Sequence, residues 1–210
     1  MNKLFLVRHG TTTAIERRVL QGSTDSPLSE RGREAALLAA AALRNSSIDY
    51  AFTSPMGRAL ETADIICGRL GIDHQILDDL REMDFGFFEG REYFDAPDKH
   101  SSILVRLGLL GRILIAQITG EPIFNVSRRA RQAWQSITQI AQDRKVLVIT
   151  HGALINYLIR HLLPRDAYKK IRPIQSAPCS ITELDVITPG NAALLRLNDT
   201  RHLAKSKKND

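Results

Sequence analysis

Cysteine is scarce in this chain: Cys67 and Cys179 are the only two among 210 residues. They stand far apart and in no metal-ligand spacing, so they read as reduced thiols, which excludes a disulfide-stapled scaffold. Cys67, within the apolar stretch 63–67, reads as a helix core residue. Long apolar runs are also missing. No stretch of about 18 uncharged apolar residues occurs, as a membrane-spanning helix would need. The N-terminus offers only Leu4–Val7 where a signal-peptide core takes about 7 to 15 residues. The expectation is a soluble, cytoplasmic protein. Internal repeats and a clear linker are absent as well, which argues against solenoids and strings of domains.

What is present fits one compact domain: 43% of residues are hydrophobic and 25% charged, enough to build a real core. The net charge of +6 and the isoelectric point near 9.6 favour anionic ligands in general. Charge alone does not choose among nucleic acid, membrane surfaces and phosphorylated metabolites. Part of the excess sits in the basic tail of residues 201–210, where Lys205, Lys207 and Lys208 follow the last apolar residue, Ala204. That tail reads as a solvated, frayed end and not as a nucleic-acid arm.

Along the chain, strand-like and helix-like segments alternate. Strands are expected at Lys3–Val7, Asp49–Thr53, Gln75–Leu77 and Val146–Thr150, with the last buried on both faces. Helices are expected at Glu30–Arg44, Pro55–Leu70, Ser102–Ile118, Val126–Gln142 and Ala153–Leu163. Ser180–Ile187 and Ala192–Leu197 flank Pro189-Gly190 as a hairpin. This order predicts a three-layer α/β/α sandwich with a mainly parallel sheet and an antiparallel edge. In such sheets ligands bind at the carboxyl ends of the strands. The segments that follow strands there carry His9, Arg58, Glu82 and His151.

Two of these junctions have the same form. Arg8-His9-Gly10 follows Leu4–Val7, and Thr150-His151-Gly152 follows Val146–Ile149. Arg8 and Arg58 offer planar, permanently charged forks suited to phosphate oxygens. A neutral His9 can attack phosphorus if its other ring nitrogen is held by a backbone carbonyl, forming a phosphohistidine. Glu82, set among aromatic residues that would raise its pKa, can protonate a leaving alkoxide and then take a proton from water. His151 can stabilise the equatorial oxygens as their charge redistributes. Each residue also has a plainer reading: a structural histidine at a strand end, a solvated helix arginine, a surface Glu82–Arg81 pair. Convergence of all of them on one rim weighs against the plainer set.

Five segments in order carry a family resemblance: Leu6–Gly10, Asp25–Gly32, Thr53–Ala63, Arg81-Glu82 and Thr150–Gly152. Together they resemble the histidine phosphatase superfamily, the phosphoglycerate mutase-like proteins, over about residues 3 to 155. The resemblance implies the phosphoglycerate mutase-like fold, a phosphohistidine on His9, and a phosphate pocket of Arg8, Arg58 and His151. It implies Glu82 as the proton donor, and neither a metal nor an organic cofactor. Gln21-Gly22 matches the loop that borders the pocket in many relatives, and Gly152 follows the second histidine. One stretch departs from the pattern. Relatives commonly read Arg-His-Gly-Glu-Thr followed by Trp-Asn, whereas Thr11–Ile15 stands here, with Ile15 in place of an asparagine that helps hold phosphate.

Subclass turns on a lid-like insertion at about residues 91–125. Mutases of this superfamily carry polar and basic residues there; here residues 103–115 are nearly all apolar, interrupted by Arg106 and Arg112. The segment reads as packing against the domain or a twin subunit in a homodimer, ahead of a lid over a partly apolar substrate or a membrane-surface contact. The reading that results is a metal-independent phosphatase acting on a small phosphomonoester, with no nucleic-acid partner and no transmembrane segment. A cofactor-dependent phosphoglycerate mutase and a phospho-ligand-binding relative without turnover stay open as alternatives.

Overall fold

In the computed structural model, residues 3–91, 108–171, 174–188 and 191–208 are described, with 108–113 and 205–208 by backbone alone. Six strands form one sheet: β1 (Lys3–Arg8), β2 (Tyr50–Thr53), β3 (His74–Ile76), β4 (Lys145–Thr150), β5 (Ile181–Thr188) and β6 (Asn191–Asp199). Their spatial order is β3-β2-β4-β1-β5-β6. The first four run parallel, and β5 and β6 add the antiparallel edge.

The period of two along the strands sorts side chains between two cores. On β1, Leu4 and Leu6 face one core while Phe5 and Val7 face the other; Val146 and Val148 of β4 divide from Leu147 and Ile149 in the same way. Helices α2 (Glu30–Leu43) and α3 (Gly57–Leu70) cover the second face. Their contact is built from alanines, Ala36, Ala39 and Ala40 on α2 and Ala59 and Ala63 on α3, all buried. After a short α1 (Thr13–Glu16), Ser29 caps α2 by accepting from the Gly32 amide at 3.2 Å. Gly71, at φ 70°, closes α3 in the left-handed conformation that glycine adopts without strain.

The first face is covered by α5 (Ile123–Ile140) and α6 (Gly152–Leu162), preceded by α4 (Gly108–Thr119) and followed by α7 (Arg165–Ile171). On α5 the buried set Val126, Arg129, Ala130, Ala133, Trp134 and Ile137 follows helical spacing. One member of that stripe is a cation. The three-layer α/β/α sandwich with a mainly parallel sheet is therefore present.

Several boundaries differ from the sequence reading. The helix expected from Pro55 starts at Gly57, because the Met56 amide donates to Ser54 Oγ and holds the turn before it. Strand β3 lies one residue earlier than expected, since Leu77 is where the chain turns into the 3-10 helix Asp78–Leu80. Helix α5 opens three residues early, directly behind Pro122. Helices α1 and α7 were not expected; α7 buries no side chain fully, and Tyr168 and Ile171, which pack partly against the core, are too few to show a period.

The basic tail is not frayed from residue 201. A 3-10 helix runs over Arg201–Lys208; Arg201 pairs with Asp199 at 2.6 Å, and Leu203 packs against the second core. Residues 92–107 of the expected insertion, and with them the start of its apolar segment, lie outside the described residues, as does the Pro189-Gly190 turn. In the continuation of that segment, Leu114 and Ile118 are exposed while Ile115 and Ala116 between them are half-buried. Cys67 and Cys179 are free and buried, the former on the core face of α3. Among the described residues no helix is long and apolar enough to cross a membrane.

Candidate active site

The sheet register brings the two histidines together. Arg8 pairs with Thr150 at the ends of the adjacent parallel strands β1 and β4, so the next residues, His9 and His151, emerge side by side. The His9 amide donates to the Thr150 carbonyl at 2.9 Å, which fixes the exit of the chain. Gly10 is packed so tightly on Gly32 that a Cβ would meet the Gly32 carbonyl oxygen at 2.8 Å. That close approach holds the loop after β1 against the start of α2.

His9 lies buried with Nδ1 2.8 Å from the Gly10 carbonyl oxygen. A carbonyl only accepts, so Nδ1 carries the proton and Nε2 keeps its lone pair. Burial, reinforced by the Arg8 and Arg58 charges, pushes the His9 pKa well below the ordinary imidazole value. His151 is buried too, its Nε2 2.7 Å from Ser54 Oγ. Among the described residues its Nδ1 has no partner. Burial again dominates in lowering its pKa, followed by the proximity of His9, Arg58 and Arg8.

Arg58 lies near the N-terminus of α3 and is only 1% exposed. Its fork is held from the far side: Nη1 donates to the Thr24 carbonyl at 2.8 Å and to Asp25 Oδ1 at 3.0 Å, and Nη2 to the Gly22 carbonyl at 2.8 Å. The loop that provides these acceptors is itself pinned by Glu89, whose carboxylate accepts from the Ser23 and Thr24 amides at 2.7 and 2.8 Å. Arg8 donates through Nη1 to the Ser176 carbonyl at 2.6 Å, and its guanidinium lies beside Gly152. Gln21 accepts from Thr12 Oγ1, leaving its amide nitrogen free. Ile15 is half-buried in α1 with its amide donating to Thr12 Oγ1 at 3.1 Å.

Glu82 follows the 3-10 turn and is buried against the N-terminus of α6. Its carboxyl accepts from the Met83 amide at 3.0 Å and the Ala153 amide at 3.3 Å. It forms no pair with Arg81, which donates to the Asp78 carbonyl. Burial raises the Glu82 pKa; the Met83 amide and the Arg8 charge, the strongest opposing influences, do not reverse this. Arg8, Gln21, Glu82 and Gly152 line one cavity of about 650 Å³.

Among the described residues, five buried polar atoms of this region have no hydrogen-bond partner: Arg8 Nε, Arg58 Nε, His151 Nδ1, Gln21 Nε2 and Ser176 Oγ. Unsatisfied buried groups are costly, about 1–3 kcal/mol each, and are kept where a ligand completes them. Three of the five are N–H donors, the others an imidazole nitrogen and a hydroxyl. An anion with several acceptor oxygens satisfies such a set. The structure thus brings together all the residues singled out from the sequence except Ile15. Sequence reasoning missed Asp25, Ser54, Glu89, Ser176 and Arg129. Of these, Asp25 and Ser54 lie inside the quoted motifs and were open to notice.

The sequence matches the histidine phosphatase superfamily (branch 1) over residues 4–200. A probable phosphoglycerate mutase, GpmB, of Salmonella paratyphi A is 31% identical over 188 residues, covering 88% of this chain and 85% of that protein. YhfR of Bacillus stearothermophilus superposes with a TM-score of 0.79 at 31% identity, over 97% of this chain and 100% of that one. A phosphoserine phosphatase of Entamoeba histolytica, solved in complex with 3-phosphoglyceric acid, gives a TM-score of 0.75 at 26% identity, over 97% and 100% of the two chains. The family match over nearly the whole chain agrees with the sheet order and the paired histidines, and the protein belongs to branch 1 of the histidine phosphatase superfamily.

Proposed function

We propose that the protein is a phosphatase that hydrolyses a small phosphomonoester through a phosphohistidine on His9. The observation that carries this reading is the set of unpartnered buried donors around two neutral histidines. Arg8, Arg58, Gln21 and His151 hold the phosphoryl oxygens. His9 Nε2 attacks phosphorus, the P–O ester bond breaks, and a protonated Glu82 gives its proton to the leaving alkoxide. In the second half, the Glu82 carboxylate takes a proton from water while the water oxygen attacks phosphorus, releasing phosphate and restoring His9. The raised Glu82 pKa and the lowered His9 pKa both favour the starting protonation state. No step in this scheme calls on a metal ion or an organic cofactor.

The wall beyond the phosphate end supports hydrolysis of an ester whose alcohol is uncharged. Asn156, Gln175, Ser176 and Asn198 line it with Leu20 and Ile174, and apart from Arg8 no cation of the described residues faces this cavity. Among the described residues, a carboxylate-bearing alcohol would find further cations only in the second cavity that Glu82 borders, where Arg81 and Arg128 stand. The second reading, a phosphoglycerate mutase, is favoured by the name of the Salmonella relative.

The test is phosphate release from sugar phosphates, nucleotides, phosphoglycerates and an aryl phosphate, by wild type and His9→Ala, in the presence of a chelator. Chelator-resistant release lost in the variant is expected. Interconversion of phosphoglycerates that depends on a bisphosphate primer, without release, would favour the mutase. Binding of these esters with neither reaction would indicate a relative without turnover.

A further inference from the structure

Arg129 is the cation on the buried stripe of α5, and its environment has one purpose that the chemistry above does not use. Its Nε and Nη2 clasp the Glu121 carboxylate at 3.0 and 2.6 Å, a bidentate pair buried at the end of the chain segment that enters α5. The remaining donors turn toward the backbone of the Glu82 loop. Nη1 donates to the Asp79 carbonyl at 2.9 Å and the Arg81 carbonyl at 2.6 Å, and Nη2 reaches the Glu82 carbonyl at 3.4 Å. The carbonyl between them, Leu80, accepts from Thr150 Oγ1 at 2.6 Å. Four successive carbonyls, 79 to 82, are thus held by side chains where no sheet ladder is available to hold them.

A buried ion pair is a poor way to gain stability, because a well-packed apolar pair of the same volume often does as well or better. Its value lies in fixing geometry. Here the geometry fixed is that of the loop on which Glu82 stands, with the Glu121 amide also donating to the Asp84 carbonyl at 2.8 Å just beyond it.

We propose that Arg129, clamped by Glu121, is the positioning residue for the Glu82 carboxyl: it holds the backbone of the acid at the depth from which proton delivery to the leaving oxygen is in reach. The proposal rests on the reading of Glu82 as the proton donor. Arg129 touches neither the phosphoryl group nor the leaving oxygen in this role. Misplacing a proton donor by about an ångström costs on the order of a hundredfold, and that cost falls only on substrates that need the proton.

The experiment is single-turnover release of the alcohol from an alkyl phosphate and from an aryl phosphate by wild type, Arg129→Gln, Glu82→Gln and His9→Ala. In Arg129→Gln, alkyl release should slow by about 10- to 100-fold while aryl release, whose leaving group needs little protonation, changes by less than about threefold. The double variant Arg129→Gln/Glu82→Gln should be no slower on the alkyl ester than Glu82→Gln alone. Equal slowing on both esters, or additive losses in the double variant, would overturn the positioning role. If Arg129→Gln fails to fold by circular dichroism, Glu121→Gln replaces it, with the same alkyl-selective pattern expected at smaller amplitude. Retention of release by His9→Ala would instead overturn the phosphohistidine reading, so the two failures are distinguishable.

Discussion

The imidazole rings of His9 and His151 lie 5.1 Å apart between centroids, with their planes tilted by 56°. Burial first, and then the neighbouring charges of Arg8 and Arg58, keep both rings neutral. Both have pKa values well below 6.5 in the folded protein. Between 6.5 and those lowered values the unfolded chain binds more protons than the folded one, so stability falls as pH drops through this window. Each ring contributes up to about 1.4 kcal/mol per pH unit there. His151→Gln should therefore flatten the decline of Tm between about pH 7 and pH 5. An undiminished slope in that variant would contradict a buried, neutral His151.

Glu82 has the opposite linkage. Its carboxyl is raised above 4.5 by burial, so the folded state holds a proton that the unfolded state has lost, and stability falls as pH rises through the window above 4.5. Glu82→Gln should raise Tm at neutral pH, with the difference vanishing at acid pH, while slowing turnover of alkyl phosphates far more than that of aryl phosphates. Paired thermal melts and rate measurements check both halves. A variant that is less stable at neutral pH would contradict a carboxyl whose burial outweighs the Arg8 and Arg58 charges.

Arg58 is held by three acceptors on its far side and leaves Nε free. Arg58→Lys keeps the charge but loses the fork, and so strands the Gly22 and Thr24 carbonyls. The expected outcome is a fall in kcat/KM of about 10²- to 10³-fold. Inorganic phosphate should raise the Tm of the wild type and have little effect on the variant. Equal thermal shifts in the two proteins would place the anion elsewhere.

Gly22 has no room for a side chain. A Cβ there would lie 2.0 Å from Glu89 Oε1 and 2.6 Å from the Met83 carbonyl oxygen. Glu89 can swing aside, but the backbone oxygen cannot, so Gly22→Ala must move the loop whose carbonyl holds Arg58. A loss of about 1–3 kcal/mol in stability is expected from such overpacking, together with weakened inhibition by phosphate. Denaturant melts and inhibition curves read the two effects separately; an unchanged phosphate affinity would uncouple this loop from Arg58.

The parts of this fold that were legible in the sequence are those whose burial writes a pattern. The runs Leu4–Val7 and Val146–Ile149 are buried on both faces of central parallel strands, and their residue types say so without any partner being known. The histidines could be placed for the same reason: each ends such a run. Helix α7 could not, because it is short and only Tyr168 and Ile171 pack partly against the core, too few to show a period. The Arg58 cradle was half legible. Asp25 stands in a quoted motif, whereas the backbone carbonyls of Gly22 and Thr24 that share the guanidinium have no signature in any residue type. Arg129 did leave a sign, a cation at a core-facing position of the α5 stripe between Val126 and Ala130, which requires a buried acceptor somewhere. One acceptor, the Glu121 carboxylate, stands eight residues earlier, but the Asp79 and Arg81 carbonyls lie some fifty residues before Arg129, and only the fold supplies them.

The most direct measurement of the central claim is the mass of the protein quenched under alkaline conditions within the first turnover of an aryl phosphate, followed by mapping of the labelled peptide. One added phosphoryl group on the peptide bearing His9, absent from His9→Ala and more abundant in Glu82→Gln, is the expected result. Release of phosphate by His9→Ala at the wild-type rate, or turnover in the wild type with the label on another residue, would contradict it.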